Sequence, residues 1–192
     1  FCNALTDVRL GSSVTRIGSY AFERCSSLEQ MVIPDSVTTI GKNAFSYYRA
    51  LEAINFEGNG TTELDEGKIT ILDAAFRGSS STTSTGVHGL RTINIGAGVN
   101  IASIGKQAFT YQILLRNINI DPTASIAVIG ESAFENCDNL QRLVIGDNTN
   151  SIGEDVTNEC AKLKEVILLC NEAPATDKNA WDKKNRVETF YA

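Results

Sequence analysis

The sequence predicts a β-rich repeat solenoid, and three observations predict it. One phrase recurs along the 192 residues. It is clearest as Ile17-Gly18-Ser19-Tyr20-Ala21-Phe22-Glu23-Arg24-Cys25-Ser26-Ser27-Leu28, followed by Met31-Val32-Ile33-Pro34, and it restarts at Ile40, Ile71, Ile104, Ile129 and Ile152. Repeats of this length mark coils stacked in one dimension. Each copy also ends in apolar-x-x-apolar-x-apolar, and its last two apolar residues alternate with one other residue as in a half-buried strand. Finally, an Ala-Phe pair returns at a fixed place in most copies.

The strands expected from this register are Leu5/Val8/Leu10, Leu28/Met31/Ile33, Leu51/Ile54/Phe56, Leu90/Ile93/Ile95, Leu115/Ile118/Ile120, Leu140/Leu143/Ile145, Leu163/Val166/Leu168 and, degraded, Val187/Phe190/Ala192. Like strands of successive repeats are expected to pair in parallel, giving one sheet of about eight short strands. Opposite it, rings at Ala21-Phe22, Ala44-Phe45, Ala75-Phe76, Ala108-Phe109 and Ala133-Phe134 are expected to stack as a spine, with Ala180-Trp181 near its end. The sixth copy breaks the rule with Asp155-Val156, where looser packing is expected. The glycine after each isoleucine marks a turn that needs positive φ or close backbone approach. Leu72 replaces it once, so the need is not absolute. The expected organisation is one domain over 1–192: a truncated repeat 1–16, repeats 17–39, 40–70, 71–103, 104–128, 129–151 and 152–174, and a degraded terminal repeat 175–192.

Composition narrows the function classes. The hydrophobic fraction is 42%, and no apolar run is long enough to span a bilayer. A formal charge of −6 argues against nonspecific nucleic-acid or anionic-membrane binding. No signal-peptide pattern opens the sequence, which says little because it begins inside a repeat: an excerpt of a longer protein is expected, with room for a leader, an anchor and further domains outside it.

The motif Ile-Gly-x-x-Ala-Phe-x-x-Cys-x-x-Leu-x-x-Val-x-Ile-Pro resembles the BspA-like leucine-rich repeat family over nearly the whole chain. The resemblance implies a right-handed, curved solenoid with its sheet on the concave side. It also implies a secreted or cell-surface location and a role in attachment or protein recognition rather than catalysis. It names no binding residues.

Chemistry-bearing residues are few. Cys2, Cys25, Cys137 and Cys160 occupy one slot, three residues before the strand's first apolar position; Tyr48, Ser79, Gln112 and Lys184 fill it elsewhere. Buried free thiols are the favoured reading. A disulfide Cys2–Cys25 or Cys137–Cys160 stays open, because parallel neighbours about 4.8 Å apart suit bridge geometry. Cys170 is expected to be an exposed odd thiol. No Cys-x-x-Cys pair, phosphate loop or His-Glu-x-x-His exists, so no metal and no cofactor are expected. His88, the lone histidine, sits in a Ser/Thr-rich stretch ill suited to holding catalytic geometry. The acidic run Glu63–Glu66 lacks calcium-loop spacing.

Function is therefore sought on the surface. Between buried positions, the strands present Glu29, Glu52, Arg91, Arg116, Gln141 and Lys164 in a first ladder and Val32, Asn55, Asn94, Asn119, Val144, Ile167 and Tyr191 in another. Two patches follow: a polar one of Asn55, Arg91, Asn94, Arg116 and Asn119, and an apolar one of Val144, Ile167 and Tyr191. Stacked asparagines also stabilise repetitive sheets by bonding one another. Two insertions, Glu57–Thr70 and Arg77–Gly89, interrupt the period. The expected role is an extracellular or cell-surface module that binds a protein of a host or neighbouring cell, with oligomeric state open. A structural spacer of a larger surface protein is the alternative. A glycan-binding module ranks below both, because the strand ladders offer only Tyr191 as an aromatic.

Overall fold

In the computed structural model, the structure describes residues 2–58, 68–79, 89–146, 148–169, 174–177 and 179–181. The chain is a parallel β-solenoid, with no helix among the described residues. Its strands are β1 (Arg16–Ile17), β2 (Gln30–Ile33), β3 (Thr39–Ile40), β4 (Ala53–Phe56), β5 (Ile69–Ile71), β6 (Thr92–Ile95), β7 (Asn100–Ile104), β8 (Asn117–Ile120), β9 (Ser125–Ile126), β10 (Val128–Ile129), β11 (Arg142–Ile145), β12 (Ser151–Ile152), β13 (Glu165–Leu168) and β14 (Ala175–Thr176).

The ladder read from the leucine positions is present but divided. β2-β4-β6-β8 form one parallel sheet and β11-β13 another. Residues 5–10 make no strand, although Leu5, Val8 and Leu10 pack against the core. The Val187/Phe190/Ala192 strand lies outside the described residues. The eight-stranded parallel sheet is a second one, in the order β1-β3-β5-β7-β10-β12-β14 with β9 beside β7. It is built on the isoleucine that opens each repeat: Ile17 faces Ile40, Ile40 faces Ile71, and Ile71 faces Ile104. Each coil from the one opening at Ile17 to the one opening at Ile152 thus contributes a strand to both sides of the column, and the apolar residues of both meet inside.

The turn joining the two ladders is also tied coil to coil. Phe22 N–H donates to the Ala44 carbonyl at 2.7 Å, Phe45 to Ala75 at 2.7 Å, Phe76 to Ala108 at 2.8 Å, Phe109 to Ala133 at 2.8 Å and Phe134 to Val156 at 2.9 Å. Two further bonds flank each of these, as Tyr20 N–H to Lys42 and Arg24 N–H to Ser46 do in the first coil. All of these flanking donors except Gly78 sit in the left-handed region: Tyr20 and Arg24, Asn43 and Tyr47, Ala74, Gln107 and Tyr111, Ser132 and Asn136 have φ between 53° and 60°. Such conformations cost a non-glycine residue on the order of 1 kcal/mol or more, which the inter-coil bonds offset.

Positive φ therefore falls on these residues and not on the repeat glycine. The glycine answers to the other need, close approach. A Cβ on Gly41 would lie 2.4 Å from the Ser19 nitrogen, and one on Gly105 would lie 2.7 Å from the Asp73 nitrogen. Nothing in the structure explains Leu72.

The ring spine forms as expected. Phe22, Phe45, Phe76, Phe109 and Phe134 stack with centroids 5.0, 5.0, 5.0 and 5.4 Å apart and planes within 14°. The break in the sixth copy needs correcting by one residue. Val156 accepts the Phe134 N–H as Ala133 accepts that of Phe109, so Val156 holds the alanine place and Thr157 the phenylalanine place. Packing there is not open, since both residues are fully buried. The defect is polar: the Thr157 hydroxyl is buried with no hydrogen-bond partner. An unpaired buried hydroxyl costs about 1–3 kcal/mol. Thr157→Val, which keeps the shape and removes the hydroxyl, is expected to stabilise the chain by about 1 kcal/mol in denaturant titration. An unchanged or lower midpoint would show that the hydroxyl is satisfied.

Candidate functional site: a polar strand face beside a charged cleft

The residues of the polar patch come together. Asn55 pairs in register with Asn94 across β4 and β6, and Asn94 with Asn119 across β6 and β8. The Asn94 amide Nδ2 donates to Asn55 Oδ1 at 2.6 Å, and Asn119 Nδ2 donates to Asn94 Oδ1 at 2.7 Å. Each linking amide spends one donor and leaves its second N–H for a ligand or water. The ladder is thus a stabilising element of the sheet as well as a polar surface.

The arginines differ from one another. Arg91 Nε lies 3.3 Å from Glu52 Oε1, both half exposed, a pair that relieves the repulsion expected between Arg91 and Arg116. Screening leaves such a pair little net stability. Arg116 is exposed and forms no ion pair among the described residues. Beside the patch opens a cleft of about 450 Å³ lined by Glu29, Arg49, Glu52 and Arg91, with the small residues Ala50, Ala53 and Gly89 among them. The sequence reading missed Arg49, which stands before the strand and outside its alternation. Gly89, the last residue of an insertion, likewise had no register to place it.

Of the apolar patch, Val144 and Ile167 meet in register across β11 and β13. Val144 is half-buried, and Ile167 beside it is only 8% exposed, so its side chain is not offered to a partner. Tyr191 lies outside the described residues, as do His88, Cys170, the run Glu63–Glu66, and most of both insertions.

The cysteine slot has a physical reason. Cys137 Sγ approaches the Phe109 carbonyl at 3.4 Å, Cys160 Sγ the Phe134 carbonyl at 3.1 Å, and Gln112 Nε2 the Phe76 carbonyl at 2.5 Å. The slot donates to the carbonyl of the spine phenylalanine one coil earlier. Cys25, Cys137 and Cys160 are buried free thiols, whereas Cys2 is free but exposed, contrary to the expectation of a uniformly buried ladder. Tyr48 fills the slot with its hydroxyl buried close to Gln112 but without an aligned partner.

Burial pushes the Cys137 thiol well up, with its contact to Cys160 adding to the rise, and burial likewise raises the Tyr48 phenol. Both groups keep their protons longer in the folded state. The stability this gives is whole below the ordinary thiol pKa of about 8.5 and is lost as pH rises toward the folded value. The melting temperature is therefore expected to fall above about pH 8.5, with a shallower fall in Cys137→Ser. In the native chain Cys2 is expected to react with a thiol reagent while Cys25, Cys137 and Cys160 stay protected until denaturant is added. Labelling of Cys137 as fast as Cys2 would contradict the buried slot.

A family model described as BspA type leucine rich repeat region matches residues 1–82 and 61–187, in six copies. Among solved structures, a leucine-rich repeat protein from Bacteroides ovatus superposes with a TM-score of 0.62 at 20% identity, covering 98% of this chain and 40% of that one. The T. pallidum leucine rich repeat protein gives 0.47 at 24% identity over 81% and 52%, and the pneumococcal vaccine antigen PcpA gives 0.42 at 18% over 93% and 54%. The chain thus spans about half the length of these structures or less. At such identity the first speaks for the fold alone. No curated protein matches the chain in sequence.

Proposed function

The chain belongs to the BspA-type leucine-rich repeat family, and from that premise we propose that it is an extracellular or cell-surface module that binds a protein partner. The binding face is the outward side of β2, β4, β6 and β8, the concave side in the family's curvature. Asn55, Asn94 and Asn119 supply spare amide groups there, and Arg91 and Arg116 supply charge. The observation that carries this reading is the charged cleft beside the asparagine ladder, because it offers a concave, polar surface on a rigid scaffold. The module works without catalysis, consistent with a repeat array whose residues serve packing and surface.

A spacer role is the second reading, favoured by one observation: the asparagine amides already bond one another, as a purely structural ladder would. The test is a binding screen of the chain against purified extracellular-matrix and cell-surface proteins, repeated with Arg91→Glu and Arg116→Glu combined. Protein binding that weakens at least about tenfold, or about 1.4 kcal/mol, with the fold intact supports the patch. Binding that ignores the double reversal removes it, and a screen without hits favours the spacer.

A further inference from the structure

The turn segments carry a second surface that the strand reading does not use. Tyr20 and Tyr47 are 53% and 38% exposed, unusually open for large side chains. Tyr111 takes the same place two coils beyond Tyr47 and is half-buried. Between them the equivalent place belongs to Gly78, which contributes no side chain and whose Cβ would strike the Tyr111 carbonyl at 2.2 Å. Arginines accompany the rings: the Arg24 guanidinium lies over Tyr47 at 5.4 Å and the Arg77 guanidinium over Tyr111 at 5.6 Å.

These tyrosines stand where tyrosine is costly. Tyr20, Tyr47 and Tyr111 have φ of 59°, 57° and 60°. Asparagine tolerates this region best among side-chain-bearing residues, and Asn43 and Asn136 occupy it elsewhere in the same turns. The inter-coil bonds offset the conformation's cost in every turn, and residues as different as Ala74, Gln107 and Ser132 hold it, so the backbone itself does not call for a ring at these places. Charge is segregated too. The first four turns set Arg24, Lys42, Arg77 and Lys106 against Glu23 and Asp73, whereas the last two bring only acids, Glu131, Glu135, Glu154, Asp155 and Glu159, on a chain whose net charge is −6.

We propose that the turn ridge of Tyr47, Tyr111, Arg24 and Arg77 binds an anionic polysaccharide. Flat tyrosine rings suit the C–H faces of sugar rings, and guanidinium forks suit carboxylates. A peptide strand is disfavoured as occupant, because the inter-coil N–H groups of these turns are already bonded to the next coil and leave no edge to extend.

The experiment uses the full chain and polygalacturonate as a uronic-acid probe, with dextran and polyglutamate as neutral and acidic-peptide controls, in calorimetry at low salt. The expected result is binding to polygalacturonate in preference to both controls. Tyr47→Asn combined with Tyr111→Asn is expected to weaken it at least about tenfold without lowering the melting temperature, since asparagine suits the left-handed backbone. Tyr47→Phe retains the ring and is expected to retain binding, and Arg24→Gln to weaken it. Absence of polygalacturonate binding overturns the proposal. So does polyglutamate binding of equal strength, or binding indifferent to both tyrosines.

Discussion

Backbone hydrogen bonding from each coil to the next, on the turns as well as on the strands, is the constraint on which the rest depends. It fixes the coil spacing near the roughly 4.8 Å of a parallel sheet all round the column. Once the spacing is fixed, like residues must stack on like. Phenylalanine rings meet at 5.0 Å because their own N–H groups bond the neighbouring coil. Asparagine amides reach one another at 2.6 and 2.7 Å for the same reason. The repeat glycine follows as well: at this spacing a Cβ on Gly41 has no room beside the Ser19 backbone. Side chains fill the column, but the backbone sets its pitch.

This explains which features were legible in the sequence. Register alone places Phe22 to Phe134 in one stack, the cysteines in one slot and Asn55, Asn94 and Asn119 on one face, because stacking turns equal position into contact. What register does not carry is the local backbone. The Ile-Gly strands are mostly two or three residues long, as at Arg16–Ile17 and Thr39–Ile40, too short for alternation to show. The left-handed turn positions hold Tyr, Arg, Asn, Gln, Ser, Ala, Asp and Glu, a set with no shared chemistry to betray a shared conformation. Only the glycine signalled a special backbone, and it signalled crowding.

The misreadings differ in cause. The reading of Asp155-Val156 as the broken pair is one place out: counting from Ile152 as from the other isoleucines puts Val156 in the alanine place and Thr157 in the phenylalanine place, and the Phe134 to Val156 bond agrees. Ile167 alternates like an outward residue yet is buried, and alternation speaks only of the face a residue leaves, not of what covers it. The tyrosines were overlooked because aromatic residues were sought on strands, while the exposed ones stand on the turns. Where copies agree, the chain builds the column. Where they differ, as at Arg49, Arg116, Tyr47 and Tyr111, it builds the surfaces that distinguish it.

Native-state hydrogen exchange measured residue by residue tests the coil-to-coil bonding most directly. If the turns are bonded as the strands are, the Phe45, Phe76 and Phe109 amides exchange as slowly as those of Ile54 and Ile93 and open with them in one cooperative unit. Rapid, loop-like exchange of the three phenylalanine amides beside protected strands would contradict it.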